Sequence, residues 1–175
     1  FVDMNFNKIF LVGFMGCGKS TLGKKIATQI GWEFVDLDEY IEKKEGKSIP
    51  LIFKEQGESY FRKLETRCLK ELLKFKSCVI SCGGGTPCFN KNMEIITLAG
   101  ASIYIKLSPT VLFNRLKLEN DQRPLIADMV DSKLFTYIQK KLNERKMFYE
   151  KAEFTFSAES ETEESIIKRI HKFLI

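Results

Sequence analysis

Gly13-Phe14-Met15-Gly16-Cys17-Gly18-Lys19-Ser20 follows the apolar run Lys8-Ile9-Phe10-Leu11-Val12 and precedes a segment with Leu22, Ile26 and Ile30 spaced four apart. Its glycine spacing is G-x-x-x-x-G-K-S, the pattern of a phosphate-binding loop between a strand and a helix. The glycines let successive backbone N–H groups curl inward around phosphate oxygens. The helix that follows adds the partial positive charge of its N-terminus. Lys19 then reaches the β- and γ-phosphates, and Ser20 offers a hydroxyl to Mg²⁺. Cys17 occupies a variable position of the loop and reads as a spacer, although a thiol at a helix N-terminus can have a lowered pKa and react.

Outward from this loop, helices and strands alternate. Gly31 reads as the C-cap of the first helix, and Glu33 to Leu37 as a second strand. Ser48 to Gln56 reads as a short helix. Glu58 to Lys74 reads as a longer one, with Phe61, Leu64, Cys68, Leu69, Leu72 and Leu73 on one face. Ser77 to Ser81 is a third strand running into Gly83-Gly84-Gly85. Asn90 to Leu98 is helical and Ala101 to Leu107 is a fourth strand. Ser108-Pro109 supplies N-cap and first turn of the next helix. Ser132 to Glu150 is a long amphipathic helix. Glu153 to Phe156 alternates as an edge strand does, and Ser160-x-x-Glu163 reads as a capping box before a last helix to Leu174. The acidic run Glu159, Glu161, Glu163 and Glu164 is read as that helix's dipole-complementing first turn. This alternation predicts an α/β sandwich around a mostly parallel sheet. Glu119 to Asp131 is polar, holds a proline and lacks periodicity, which marks a long mobile loop.

Composition narrows the function. The 175 residues fit one domain, 44% are hydrophobic and 29% charged, and the balance of 28 basic against 23 acidic residues leaves +5. The basic residues are scattered and form no stripe, which argues against nucleic acid. A single histidine, His171, leaves no room for a Ser-His-Asp triad or a histidine-rich metal site. Five cysteines without regular spacing read as free thiols in a reducing compartment, not zinc ligands. No run approaches the ~18 apolar residues that span a bilayer. The first residues lack a basic-then-apolar leader pattern, and Met4 reads as a native start. The expectation is a cytoplasmic monomer, since no apolar helix face remains once the core is assigned.

Beyond the phosphate loop, several groups suit phosphoryl chemistry. The third strand ends without an Asp, so the acidic partner of a magnesium ion is sought in Asp36-Leu37-Asp38. Two-residue spacing puts both carboxylates on one side of an extended chain, where one can hold hydrated Mg²⁺ and the other can face a substrate hydroxyl. The plainer alternative is a pair of turn or N-cap aspartates. Arg62 and Glu65 are three apart on one helix face, so the carboxylate can steer the guanidinium; an exposed ion pair of little consequence is the alternative. Gly83, Gly84 and Gly85 suggest close approach of backbone to a ligand, or a plain loop. Arg123-Pro124 in the polar loop is either a mobile cation that closes over phosphates or a surface residue, and Arg145 is either a ligand-facing or a surface arginine.

Taken in order, Gly-x4-Gly-Lys-Ser-Thr, Asp36-Leu-Asp38, Phe61-Arg62-x-x-Glu65, Gly83-Gly84-Gly85, Arg123-Pro124-Leu125 and Arg145-x3-Tyr149 resemble the shikimate kinase family from about Asn5 to Ile175. The resemblance implies a three-layer α/β/α P-loop kinase fold, one domain over 1–175, with a five-stranded parallel sheet in the order 2-3-1-4-5 and a lid at about 119–131. It implies transfer of the ATP γ-phosphate to the 3-hydroxyl of shikimate, with Mg²⁺, in aromatic amino-acid biosynthesis. Gly16, Cys17, Gly18, Lys19, Ser20 and Thr21 would cradle phosphate, with Ser20 on Mg²⁺ and Asp36 acting on it through water. Asp38 would bind the shikimate hydroxyls and orient or deprotonate the attacking one. Arg62 and Arg145 would clamp its carboxylate beside Gly83 to Gly85. Arg123 would contact the transferring phosphate and Arg115 would pack on adenine, near a loop at Ser157 to Ser160. Ile126 stands where the family usually has a second Leu after Arg-Pro-Leu, a volume-conserving difference.

Alternatives from the same loop are kinases of gluconate or nucleoside monophosphates, which have no obvious need for a triple glycine beside two carboxylate-binding arginines. A GTPase switch would need Asn-Lys-x-Asp, and Asn90-Lys91-Asn92-Met93 lacks the Asp.

Overall fold

The computed structural model describes residues 6–119, 126 and 129–174. Five strands carry the fold: β1 (Lys8–Val12), β2 (Glu33–Asp36), β3 (Cys78–Ser81), β4 (Ala101–Lys106) and β5 (Phe154–Ser157). They form one sheet in the order β2-β3-β1-β4-β5, and every neighbouring pair is parallel. This is the order and direction expected from the resemblance.

The central strand explains why parallel pairing follows from the sequence. All five residues of β1 are buried. Ile9 and Leu11 enter one core while Phe10 and Val12 enter the other. A strand covered on both faces must be apolar at successive positions, as parallel strands in α/β folds are. One core is closed by α1 (Lys19–Ile30), α5 (Pro109–Leu118), the first turns of α6 (Asp131–Tyr149) and α7 (Glu163–Leu174), through Leu22, Ile26, Leu112, Leu116, Leu134, Ile138, Ile166 and Ile170. The other is closed by α2 (Leu37–Glu45), α3 (Ile49–Leu72) and α4 (Asn92–Ala99), together with Tyr149 from the far end of α6. Helix α6 therefore bridges the two layers at the carboxyl ends of the strands.

Local signals set most boundaries. Gly31 ends α1 in the left-handed conformation. Ser48 caps α3 by accepting from the Leu51 N–H, and Ser108 caps α5 by accepting from the Val111 N–H, each followed by an early proline. Gly57, at φ 83°, breaks α3 where the sequence places a boundary between two helices.

Three expectations are corrected. The second strand stops at Asp36, and Leu37 opens a helix that the sequence reading did not assign. Asp36 is its N-cap, its carboxylate accepting from the Glu39 N–H at 3.1 Å. The last helix begins at Glu163 and its cap is Thr162, whose hydroxyl accepts from the Ser165 N–H at 3.2 Å; Ser160 instead donates to the Ser157 carbonyl. The acidic run does not act as one unit. Glu163 and Glu164 lie in the first turn of α7, but Glu159 accepts from the Ser108 N–H, and Glu161 accepts from the Ser157 N–H and pairs with Arg169.

Among the described residues, no helix is long and apolar enough to cross a membrane. All five cysteines are free thiols, and four of them are buried.

Candidate active site

The carboxyl ends of β1 and β3, the first turns of α1 and α2, the middle of α3 and the last turns of α6 supply the residues around the glycine loop at 13–18. Gly16 and Gly18 take φ of 79° and 96°, backbone that a side chain strains. Lys19 folds back over the loop, its Nζ donating to the Gly13 and Phe14 carbonyls at 2.8 and 3.0 Å. The ammonium is thus pinned at the loop's mouth, 9% exposed. Cys17 is buried beneath it, Sγ 3.7 Å from Nζ. Thr21 follows on α1 and is exposed. Arg115 of α5 reaches across to the same loop, donating to the Gly16 carbonyl at 3.4 Å.

Ser20 donates to Asp36 Oδ2 at 2.8 Å and lies 3.5 Å from the Ser81 hydroxyl. Ser81 pairs with Asp36 in the β2–β3 register and sits where the third strand ends. One oxygen of Asp36 therefore caps α2 and the other engages the phosphate loop. Both carboxylates of the Asp36-Leu37-Asp38 stretch serve this region, but not as neighbours along an extended strand, since Asp38 lies in the first turn of α2.

Asp38 is pushed up to about 6 from an ordinary value near 4. Removal from water is the main cause, and the negative charges of Asp36 and Glu65 add to it against the pull of Lys19.

Arg62 and Glu65 form the predicted ion pair, Nη1 to Oε1 at 2.9 Å, and it is not an exposed one. Glu65 is 1% exposed and also accepts from the Thr86 hydroxyl at 2.7 Å. Thr86 opens a 3-10 turn (Thr86–Cys88) directly after the triple glycine.

The triple glycine organises the whole arrangement. A Cβ on Gly83 would stand 2.9 Å from Asp38 Oδ1. One on Gly84 would stand 3.3 Å from Arg145 Nη1, and one on Gly85 would stand 2.6 Å from Arg62 Nη2. Each glycine is thus crossed by a different one of the three side chains that the sequence singles out for a substrate. Consecutive Cα atoms are 3.8 Å apart, so three successive glycines gather these groups along roughly 7 Å of backbone. Gly84 also faces the phosphate loop, its virtual Cβ 3.3 Å from the Met15 nitrogen.

Tyr149, one turn beyond Arg145 on α6, donates to the Gly84 carbonyl at 2.5 Å and is fully buried against Tyr104. Its burial drives the phenol pKa upward, so it remains a donor.

The structure brings together Lys19, Ser20, Asp36, Asp38, Arg62, the three glycines, Arg145 and Arg115. Arg123 and most of the stretch expected to form the lid lie outside the described residues. Ile126 is fully buried, as an apolar replacement for Leu requires. Ser81 and Thr86 were missed, because their partners are distant in sequence. Tyr149 carried a usable signal, its i+4 spacing from Arg145, but no partner for its hydroxyl could be named.

Comparison with known proteins agrees with this geometry. The protein family described as shikimate kinase matches residues 15–175. The shikimate kinase of Phocaeicola vulgatus is 43% identical over 152 residues, 87% of either chain. The crystal structure of shikimate kinase from Bacteroides thetaiotaomicron superimposes with a TM-score of 0.88 at 40% identity, over 95% of this chain and 97% of that one. Shikimate kinase from Acinetobacter baumannii, in complex with shikimate, gives 0.84 at 31% identity, over 97% and 93%. With the phosphate loop, the sheet order and the triple glycine, these matches establish that the chain belongs to the shikimate kinase family.

Proposed function

We propose that the chain transfers the γ-phosphate of ATP to the 3-hydroxyl of shikimate, giving shikimate 3-phosphate and ADP in aromatic biosynthesis, and that the residues gathered at the triple glycine hold the acceptor. The observation that carries this reading is the assignment of Asp38, Arg145 and Arg62 to one glycine each, against the mouth of the phosphate loop.

Shikimate is a small polyol with one carboxylate. Two guanidinium groups suit the carboxylate, because the planar fork binds it through parallel hydrogen bonds. Asp38 suits the hydroxyl end. Its carboxylate, titrating near 6, is ionised at neutral pH yet basic enough to accept the proton of the attacking hydroxyl. Phosphoryl transfer needs positioning and charge neutralisation more than covalent help from the protein. Lys19 supplies the charge on exchanging its hydrogen bonds to Gly13 and Phe14 for phosphate oxygens. Arg115 is assigned to the nucleotide side of the loop, which it reaches at the Gly16 carbonyl, and Arg123, outside the described residues, is assigned to the transferring phosphate.

Magnesium fits the donor set. Ser20 and Asp36 present hard oxygens 2.8 Å apart. Mg²⁺ matches such a sparse site, since it keeps several waters and takes few protein ligands beside phosphate. When bound it neutralises charge on the β- and γ-phosphates. Ser20 would hold it directly and Asp36 through water. The free thiols fit a reducing cytoplasm, and we assign the chain as a single-domain monomer acting on small molecules.

The test is ADP release with ATP and Mg²⁺ across a panel of acceptors. Shikimate should stimulate release strongly, and gluconate and AMP should not. Turnover of gluconate or AMP without response to shikimate would overturn the assignment.

A further inference from the structure

We propose that Phe89 is a positioning residue for the acceptor's carboxylate, its ring fixing the plane in which the Arg62 guanidinium meets an acidic substrate. This rests on the reading of Arg62 as a carboxylate clamp. The Arg62 Cζ lies 4.1 Å from the Phe89 ring centroid, closer than the 5.2 Å to Phe61. A guanidinium within about 6 Å of an aromatic face is attracted by the ring's quadrupole. The group is also held at two nitrogens, Nη1 donating to Glu65 at 2.9 Å and Nε to Glu58 at 3.4 Å. Nη2 and Nη1 both cross Gly85, 2.6 and 2.7 Å from its virtual Cβ, and among the described residues no hydrogen bond is made by Nη2. The face and two nitrogens are therefore held, and the Nη1–Nη2 edge is presented beside the triple glycine.

The ring is itself anchored. The Asn92 N–H donates to the Phe89 carbonyl at 2.9 Å, and the fully buried Asn92 side chain donates to the Thr86 carbonyl at 3.0 Å. Asn90 donates to the Arg62 carbonyl at 3.2 Å, tying the turn to α3. Asn90 and Lys91, directly after Phe89, take φ of 50° and 58°, a conformation that non-glycine residues adopt at a cost. That tight reversal follows the ring directly, and the Asn90 side chain holds it to the Arg62 backbone. Without the ring the guanidinium keeps its charge and its partner Glu65 but gains freedom to tilt. A planar fork that tilts loses paired hydrogen bonds to a carboxylate, while it remains attractive to any anion.

Steady-state kinetics of wild type, Phe89→Ala, Phe89→Leu and Phe89→Tyr test this, with shikimate and with its neutral carboxamide as acceptors. Phe89→Ala should raise KM for shikimate about 5–30-fold, the range of one desolvated cation–π contact, with much smaller changes in kcat and in KM for ATP. Phe89→Leu, which keeps the apolar bulk and the fold, should move KM in the same direction, and Phe89→Tyr should restore it. With the carboxamide, wild type and Phe89→Ala should converge. An unchanged KM for shikimate, or an equal rise for acid and amide, would overturn the proposal. An equal rise in KM for ATP would do the same, as a mark of general loosening. A wild-type chain that does not phosphorylate shikimate overturns the clamp reading and this one together; a wild type that does, with Phe89→Ala unaltered, overturns this one alone.

Discussion

Replacing Asp38 with Asn should make the protein more stable and nearly inactive at the same time. Asp38 is held at about 6, against 3.8 for an unperturbed side chain. The folded state therefore binds its proton more tightly than the unfolded state does. Below about pH 4 both states are protonated and the residue has no effect on the balance. As pH rises through 6 the folded state must ionise it against burial and against Asp36 and Glu65, and stability falls. At about 1.4 kcal/mol per tenfold, the full penalty above pH 6 has an upper bound of about 3 kcal/mol. The side chain is only half-buried, so screening by water trims this to about 1–2 kcal/mol. Asn has the shape of the protonated acid and avoids the penalty. Thermal unfolding at pH 7.5 should place Asp38→Asn about 3–6 °C above wild type, given roughly 2–4 °C per kcal/mol for a chain of this size. The difference should shrink toward zero as pH falls from 6 to 4. Wild-type kcat/KM should fall below about pH 6, and Asp38→Asn should lose turnover by about 10²–10⁴-fold, the usual contribution of a general base. An Asn variant less stable than wild type at pH 7.5, by an amount independent of pH, would refute the electrostatic account of Asp38.

Other substitutions probe separate parts of the site. Lys19→Ala should cut turnover at least about 10²-fold, as loss of a charge-stabilising donor does, while circular dichroism and melting show the fold kept; near-normal turnover would remove Lys19 from the mechanism. Gly85→Ala places a methyl 2.6 Å from Arg62 Nη2 and should raise KM for shikimate by about 10–100-fold with KM for ATP unmoved, because small misplacements of a positioning group are costly. Glu65→Ala leaves the buried side of Arg62 unpaired and should lower stability by about 3 kcal/mol, read by thermal unfolding; a change near zero would mean that the pair contributes nothing.

How much of this was legible beforehand depends on how far apart the partners lie in sequence. The phosphate loop and its flanking strand and helix were readable because every requirement sits within about 25 residues of chain. Arg62 and Glu65 were readable as a pair because a single helix turn brings them together. Its burial was not readable, since it depends on Thr86 arriving from the other end of β3. Asp36 and Asp38 meet in this region, but not through a shared strand face. Asp is among the strongest N-caps, and the cap at Asp36 ends the strand two residues too early for the two carboxylates to share a strand face. The same competition moved the start of α7 from Ser160 to Thr162, both of which offer a capping hydroxyl. Phe89 gave no local sign, because a cation–π contact has no spacing rule across elements. The division of labour among Gly83, Gly84 and Gly85 was equally hidden: three identical residues announce close approach, but only the packed structure shows which side chain crosses each.

The central claim is that phosphate is delivered to the 3-hydroxyl of shikimate. Its most direct test is phosphorus–proton correlation NMR of the product formed from ATP, Mg²⁺ and shikimate by the purified chain. A single phosphate monoester coupled to the proton on C3 is expected, with one ADP released per ester. Phosphate on a different hydroxyl, or ADP accompanied only by inorganic phosphate, would contradict it.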